Sequence, residues 1–438
     1  MKQLLAYCLS IILCVSFTGC MENYLDLYPE DKITSASFPE NESDIKLLLN
    51  GVYAQLREKE VYNQGLFGFG ITDGATPNAF NWGTDEVFNK LGAGRLSSSD
   101  GGVVTYRWKR CYEIISRANY LLACMDLVDL SEEAKAKYSG ETHFLRGLAY
   151  SVLAETYGGV PIILTNISTE EARSLKRASL EETWQQALDD YEVAITNLGV
   201  DAPEPGRATK GAALGMKMRA YLYQGKYKEV LACVEQIDAL KKYGLFHSYE
   251  GLFDPANENN KEVLFDIQYI EGENSQGSYI DQYCGTGTGS WTRGSRYVPT
   301  DDLVAAYETI DGSPVDPENP YENRDPRLGF TAVLPGSYFL GYRFPNYLYP
   351  GGAFNHAGNR LKHLSTRKYR IQDESKLPPS GQSYINDIIL RYADVLLSKA
   401  EAIIETNGNV ADAIAILNRI RTERDDVKIS LLPTSMSR

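Results

Sequence analysis

At residues 220–227 the chain reads Ala220-Tyr221-Leu222-Tyr223-Gln224-Gly225-Lys226-Tyr227. Apolar and small residues recur at helical spacing from Thr209 to Gln224, and a second periodic stretch continues from Tyr227 to Leu240. Gly225 and Lys226 separate the two. The segment therefore predicts a helix, a tight turn and a second helix, with small residues where the helices cross closely.

The same pattern extends toward the N-terminus. Helical spacing covers Ser179–Leu198, which carries Ala187, Tyr191 and Ala194, and it also covers 104–129 and 130–157. The last of these stops at Gly158-Gly159-Val160-Pro161. These pairs resemble tetratricopeptide helix–turn–helix units, although their period is too irregular for a simple solenoid.

The helical scaffold is predicted to cover residues 41–240, with one interruption. It begins with a helix at Ser43-Asp44, whose apolar residues from Ile45 to Leu56 form one stripe. Residues 62–104 then contain nine glycines and show no lasting period. We interpret them as a loop-rich insertion, and long loops of this kind in compact domains are usually functional or disordered.

The second half of the chain has a different composition. Residues 241–386 are rich in Gly, Pro, Asn and Tyr, which predicts loops, short strands and short helices in an irregular ligand-binding region. Residues 387–426 predict a helical pair, Ile388–Glu405 and Val410–Arg424, and 427–438 form a tail. The fold class is mainly α, with tetratricopeptide-like helical pairs followed by a loop-rich irregular second half.

The N-terminus predicts export. Lys2 precedes an apolar run from Leu4 to Phe17, which is too short to span a bilayer, and Gly19-Cys20 completes a lipobox-like sequence. We expect residues 1–19 to be a signal peptide, Cys20 to be lipidated, and 20–40 to be a polar tether. The alternative is an ordinary signal peptide that is cleaved elsewhere.

Composition excludes some partners. The formal charge is −14, and removing 1–19 takes away Lys2 and no acid, which leaves −15. Nucleic acid is therefore not an expected partner, and nor are anionic lipid headgroups, because both favour basic patches. The chain has 30 Tyr and 4 Trp, and their flat faces suit stacking on sugar rings as well as core packing. Cys111, Cys124 and Cys233 fall in predicted helices, where cysteine is typically a buried apolar residue.

No pattern indicates catalysis, a cofactor or a metal. The Gly-rich run 285–290 lacks the strand, helix and lysine of a phosphate-binding loop, so we interpret it as a flexible loop. The sequence 311–316 imitates a calcium loop but lacks its alternating ligands and distal glutamate, which favours a turn. A glycosidase would need two carboxylates at a defined separation, which a sequence cannot supply.

Two Gly-rich segments combine aromatic and polar residues in the way that sugar recognition requires. The alternative is that these aromatic residues fasten long loops to the core. The candidate ligand-binding residues are Phe80, Asn81, Trp82 and Asp85 in the first segment, and Tyr283, Trp291, Arg293 and Tyr297 in the second.

Motifs spread along the chain resemble the SusD-like (RagB/SusD) family of outer-membrane lipoproteins. They follow Cys20 at 24–31 and continue at 144–150, 157–161, 301–308, 311–312, 323–328 and 390–397. Their order covers nearly the whole chain.

The resemblance implies a tetratricopeptide-containing helical scaffold, a lipid anchor on the cell surface, and a glycan-binding protein without covalent chemistry. It also implies a SusC-like TonB-dependent transporter as the partner, which the protein would cover as a lid. Ligand contacts in the family come from the insertion after the first helix and from loops of the second half, which favours Trp82 and Trp291. The alternatives are a family member that binds peptides or another nutrient, or a structural lid without a ligand.

Family members usually continue beyond the segment Leu417-Asn418-Arg419-Ile420-Arg421 into a further helical stretch, which is absent from this sequence. We therefore expect the last two helices to expose apolar faces that such a stretch would cover.

Overall fold

The computed structural model describes residues 38–57, 73–81, 90–271, 277–278, 280, 297–340, 342–343, 364–378 and 382–433. The predicted signal peptide, Cys20 and nearly all of the tether lie outside this part of the chain. So do most of the insertion, the Gly-rich run 285–290 and Cys284.

Helices dominate the described residues. In chain order they are α1 (Glu42–Ala54), α2 (Val103–Cys124), α3 (Glu132–Tyr157), α4 (Thr169–Ser174), α5 (Leu180–Asn197), α6 (Lys210–Tyr223), α7 (Tyr227–Ala239), α8 (Asp301–Ala306), α9 (Pro326–Thr331), α10 (Tyr392–Glu405) and α11 (Val410–Thr422). Short 3₁₀ turns lie at Gln55–Arg57, Asp73–Ala75, Gly251–Phe253, Pro255–Asn257 and Glu374–Lys376.

Local sequence explains where the scaffold helices begin and turn. The Ser179 hydroxyl caps α5 and the Glu182 carboxylate returns a bond to the Ser179 backbone, which completes a capping box. Asn41 caps α1, so this helix begins just before the predicted Ser43-Asp44. Gly225 adopts a φ of +67°, a left-handed conformation that joins α6 to α7 at the predicted turn.

The scaffold helices pack as consecutive neighbours. Helix α3 lies between α2 and α5, and α6 lies between α5 and α7. At the α3–α5 contact, Ala187 and Tyr191 are fully buried, and the Arg146 guanidinium pairs with Asp190 at 2.7 Å. Cys111, Cys124 and Cys233 are buried free thiols on α2 and α7, as predicted. The mainly helical class with tetratricopeptide-like pairing is confirmed.

The described strands form four two-stranded antiparallel sheets. They are β1 (Ala79–Asn81) with β3 (Tyr297–Pro299), β2 (Val263–Ile267) with β8 (Asp387–Arg391), β4 (Ala332–Val333) with β7 (Ser365–Thr366), and β5 (Tyr338–Phe339) with β6 (Tyr342–Arg343).

The predicted helix start at Ile388 is wrong. Residues 387–391 form β8, and α10 begins only at Tyr392. The segment has β-branched Ile388 and Ile389, and pairing with the buried strand β2 outweighs the helical spacing that continues into α10.

The chain beyond α11 folds back onto the second half. Val427 and Ile429 are 0% and 4% exposed and join a second apolar cluster with Tyr249, Phe253 and Tyr369. Leu397 on α10 and Leu431 remain 44% and 65% exposed.

Candidate ligand-binding site

A short ribbon brings the two candidate sugar-binding segments together. Strands β1 and β3 pair Phe80 with Val298 and Asn81 with Tyr297. The Thr300 N–H donates to the Asn78 carbonyl at 3.1 Å and extends the pairing by one step. Two segments more than 200 residues apart in sequence are therefore adjacent in the fold.

The ribbon contains the backbones of three predicted site residues, Phe80, Asn81 and Tyr297. The other five lie outside the described residues: Trp82, Asp85, Tyr283, Trp291 and Arg293. Trp82 directly follows Asn81 in the sequence. The eight positions together stay a prediction, and among the described residues the β1–β3 pairing places Asn81 opposite Tyr297.

A cavity of about 870 Å³ opens beside this ribbon. One wall is the segment leading into β1, and the other walls are helices α2, α3, α5, α6 and α10 together with β8 and the turn at 368–369. The lining residues that concern function are Asp73, Thr76, Asn78, Arg107, Ser151, Glu155, Trp184, Arg219, Tyr223, Lys368, Asp387, Arg391 and Asp394.

An ion pair fixes one wall of the cavity. Arg219 on α6 pairs with Asp394 on α10, and its Nη2 also donates to the Ile389 carbonyl at 3.0 Å. Arg391 on the same wall pairs with buried Glu262 at 2.9 Å. Because both guanidiniums have carboxylate partners, they join α6, α10 and β8 and leave little free positive charge.

The cavity has aromatic side chains at different depths. Trp184 at the start of α5 is 6% exposed, whereas Tyr223 at the end of α6 is 53% exposed. An exposed tyrosine presents both a flat face and a hydroxyl, which together suit a sugar ring at the mouth of a cavity. Sequence inspection placed Tyr223 in a helix–turn–helix pattern and gave no signal of this position.

Two carboxyl groups of the wall hold protons more tightly than usual. Burial, together with the negative charges of Asp73 and Asp266, raises the pKa of Asp387 to about 7, and Lys368 opposes this shift. Burial also raises the pKa of Asp73. At neutral pH the Asp387 site is therefore populated by both a hydrogen-bond donor and an acceptor form.

Arg107 is one of the cations of the wall that sequence analysis did not indicate. It lies on α2 and is 8% exposed, and its Nε is buried without a hydrogen-bond partner among the described residues. In sequence it is one of several arginines in a periodic helix, and its environment arises only when α2 packs against the rest of the scaffold.

Three further features of the described residues concern membrane spans, metal sites and the turn at 311–313. None of its helices has the length and apolar character needed to cross a bilayer. Within the same residues, no group of three or more His, Cys, Asp or Glu side chains is arranged to hold a metal ion. At 311–313 the Asp311 carboxylate accepts from the Ser313 N–H, and Gly312 has a φ of +78°, which confirms the predicted turn.

Comparison with known proteins identifies the family. A model of the SusD family matches residues 261–424, and a second, described as starch-binding associating with outer membrane, matches 23–222. The chain belongs to the SusD-like family. This is a family of carbohydrate-binding proteins associated with the outer membrane.

Individual relatives are also SusD-like proteins. SusD-like protein P25 of Formosa agariphila is 26% identical, across 96% of this chain and 81% of its own. A SusD-like carbohydrate binding protein of Bacteroides fragilis superposes with a TM-score of 0.79 at 26% identity, across 89% and 80% of the two chains. A laminarin binding SusD-like protein has the same fold, with a TM-score of 0.67 at 20% identity across 90% and 86%.

Proposed function

We propose that this chain is a cell-surface lipoprotein that binds an oligosaccharide or polysaccharide and delivers it to a SusC-like TonB-dependent transporter in the outer membrane. The observation that carries the proposal is the β1–β3 ribbon, which joins two Gly-rich aromatic segments beside a cavity of about 870 Å³. Volumes of roughly 300–1,000 Å³ are usual for small-ligand sites.

The family supports the ligand class. A relative from Bacteroides fragilis is a SusD-like carbohydrate binding protein, and another relative is a laminarin binding SusD-like protein. In this proposal Trp82 and Trp291 stack on sugar rings while Asn81, Asp85 and Arg293 hydrogen-bond hydroxyl groups. Phe80, Tyr283 and Tyr297 complete the aromatic surface. The protein catalyses no reaction and needs no cofactor.

The first experiment measures binding of the purified mature chain without its lipidation site, residues 21–438, to a panel of plant, host and microbial polysaccharides by affinity electrophoresis and calorimetry. We expect one class of polysaccharide to retard the protein. The double variant Trp82→Ala/Trp291→Ala should abolish that binding, because stacking of sugar rings on the two aromatic side chains supplies most of the affinity. Tyr120→Ala, an exposed aromatic on α2 that does not line the cavity, is the control.

The partner is tested in the same variants by co-purification with the transporter from solubilised outer membranes. Retained association with lost glycan binding supports the proposal. Unchanged glycan binding in the double variant would contradict the assigned residues. A folded protein that binds no glycan but still associates with the transporter would favour the structural lid, and binding of peptides alone would favour another nutrient.

The lipid anchor is tested by labelling cells with a fatty acid analogue. We expect label on the wild-type chain and none on Cys20→Ser, which should be released from the membrane fraction because the acyl chains provide its attachment. Surface exposure follows from protease accessibility in intact cells. Equal labelling and equal membrane association of Cys20→Ser would exclude Cys20 as the attachment site.

A further inference from the structure

We propose that the cavity selects an acidic sugar unit, and that the guanidinium of Arg107 binds its carboxylate or sulfate ester. This inference rests on the glycan-binding function proposed above and specifies the class of glycan.

The Arg107 guanidinium is buried in the cavity wall and lacks an anionic partner among the described residues. Its side chain is more than nine-tenths buried and lines the cavity, yet its Nε has no hydrogen-bond partner among the described residues. On the same helix Glu113 pairs with Lys109 and Arg110, and no carboxylate of the described residues pairs with Arg107. A buried guanidinium normally has an anionic partner, because desolvating an unpaired charge is costly. An anion bound in the cavity would supply that partner.

The second reason is the contrast with its neighbours. Arg219 and Arg391 line the same cavity, and both already pair with protein carboxylates, Asp394 and Glu262. Among the described lining residues, Arg107 is therefore the guanidinium without a carboxylate partner. Its planar fork matches a carboxylate or sulfate in bidentate geometry, whereas hydroxyl groups of a neutral sugar would use single bonds.

The other charged side chains that line the cavity are compatible with binding of an anion beside Arg107. Lys368 places a second cation in the lining, with its Nζ 4.4 Å from the centre of the Phe253 ring. Glu155 is exposed at the end of α3, so water screens its charge. Asp73 and Asp387 hold protons more tightly than usual, which reduces their repulsion of an anion.

The rest of the lining suits the sugar ring itself. Tyr223 offers an exposed aromatic face, and Ser151, Thr76 and Asn78 offer neutral donors and acceptors for hydroxyl groups. Together with the volume of about 870 Å³, this accommodates a short stretch of a polysaccharide that bears an acidic unit.

Calorimetry with three oligosaccharides of one backbone and one length tests the inference: a neutral glucan, the corresponding oligoglucuronate and a sulfated derivative. We expect the wild-type chain to bind one of the two acidic forms at least tenfold more tightly than the neutral form, and the preferred form identifies the anionic group. Arg107→Met should reduce that preference to less than threefold. Arg107→Lys should retain part of the preference.

Two controls keep the result interpretable. Arg173→Met removes an exposed cation on α4 outside the cavity and should change no affinity. Thermal melting should show Arg107→Met to be folded, and glucuronate or methyl sulfate should raise the melting temperature of the wild-type chain only. Equal affinity for acidic and neutral forms, or an acidic preference that survives in Arg107→Met, overturns the inference but not the glycan function. Absence of binding to any glycan overturns both.

Discussion

Arg424 and Glu262 form an ion pair whose side chains are 1% and 0% exposed. The Arg424 guanidinium donates to Glu262 at 2.7 Å and to the Phe246 carbonyl at 2.7 Å, while Arg391 donates to the same carboxylate. Burial alone would raise the pKa of Glu262, but the two guanidiniums and the Phe246 N–H hold it below its ordinary value. The pair connects the chain after α11 to the start of β2.

We predict that Arg424→Met lowers the free energy of unfolding by about 3 kcal/mol, because it leaves a buried carboxylate with one guanidinium where it had two. Urea denaturation of both chains measures this difference. Lys135→Met is the control, since its pair with Asp126 is exposed and should contribute little to stability. A loss in Arg424→Met no larger than in the control would show that Arg391 alone satisfies Glu262.

Residue-level prediction from sequence had a clear limit. Burial of Cys111, Cys124 and Cys233 followed from their place in apolar helical patterns. Arg107 and Arg424 could not be singled out, because burial of a charge depends on which elements pack over it. The same local sequence pattern is compatible with a solvent-exposed arginine.

At the scale of elements, close approach between helix ends limits side-chain size. A Cβ built on Gly159, just after α3, would lie 2.0 Å from the Ala178 carbonyl oxygen and 2.7 Å from the Ser179 carbonyl carbon. These are backbone atoms next to the cap of α5, so they cannot move as a flexible side chain would. The Ala178 N–H also donates to the Val160 carbonyl and holds the two segments together.

We therefore predict that Gly159→Ala destabilises the protein by about 2–3 kcal/mol through overpacking. Gly101→Ala is the matched control, because its Cβ would meet only the Thr105 hydroxyl at 3.8 Å. Thermal and urea unfolding of both variants measure the effect. Equal stability of Gly159→Ala and Gly101→Ala would mean that the contact between α3 and α5 is looser than its backbone distances imply.

Helices with strong local signals were predicted within a few residues, since caps such as Ser179 and turns such as Gly225 act over short distances. Strand β8 was not, because its partner β2 lies about 120 residues earlier and no local pattern records that pairing. The β1–β3 ribbon was missed for the same reason, although both segments had been selected by composition.

For the whole molecule, three carboxyl groups near the junction of the scaffold and the second half determine how stability should change with pH. Burial raises the pKa of Glu258 to about 7, of Asp266 to about 6 and of Asp387 to about 7. Ordinary values are near 4, so between pH 4 and 7 the folded chain binds protons that the unfolded chain releases.

These raised pKa values should make the protein less stable as pH rises. Where the folded state binds more protons, the free energy of unfolding falls as pH rises, so these groups make the protein less stable at pH 8 than at pH 5. Glu204, Glu262 and Asp426 have lowered pKa values and act oppositely, losing their stabilising effect only as pH falls below about 4.5. Stability should therefore be greatest at about pH 4.5 and fall as pH rises from there to 8.

We predict that the free energy of unfolding is about 1–3 kcal/mol lower at pH 8 than at pH 5. This difference is smaller than the pKa shifts alone would give, because Glu258 and Asp387 are only half-buried and solvent screens their charges. Urea denaturation across this range measures it. Asp387→Asn should stabilise the protein at pH 8, change little at pH 5 and so flatten the profile, whereas the exposed control Asp129→Asn should keep the wild-type slope. If Asp387→Asn also keeps that slope, Asp387 is ionised in the folded protein well below pH 7, and the cavity wall then carries a full negative charge that opposes an acidic ligand.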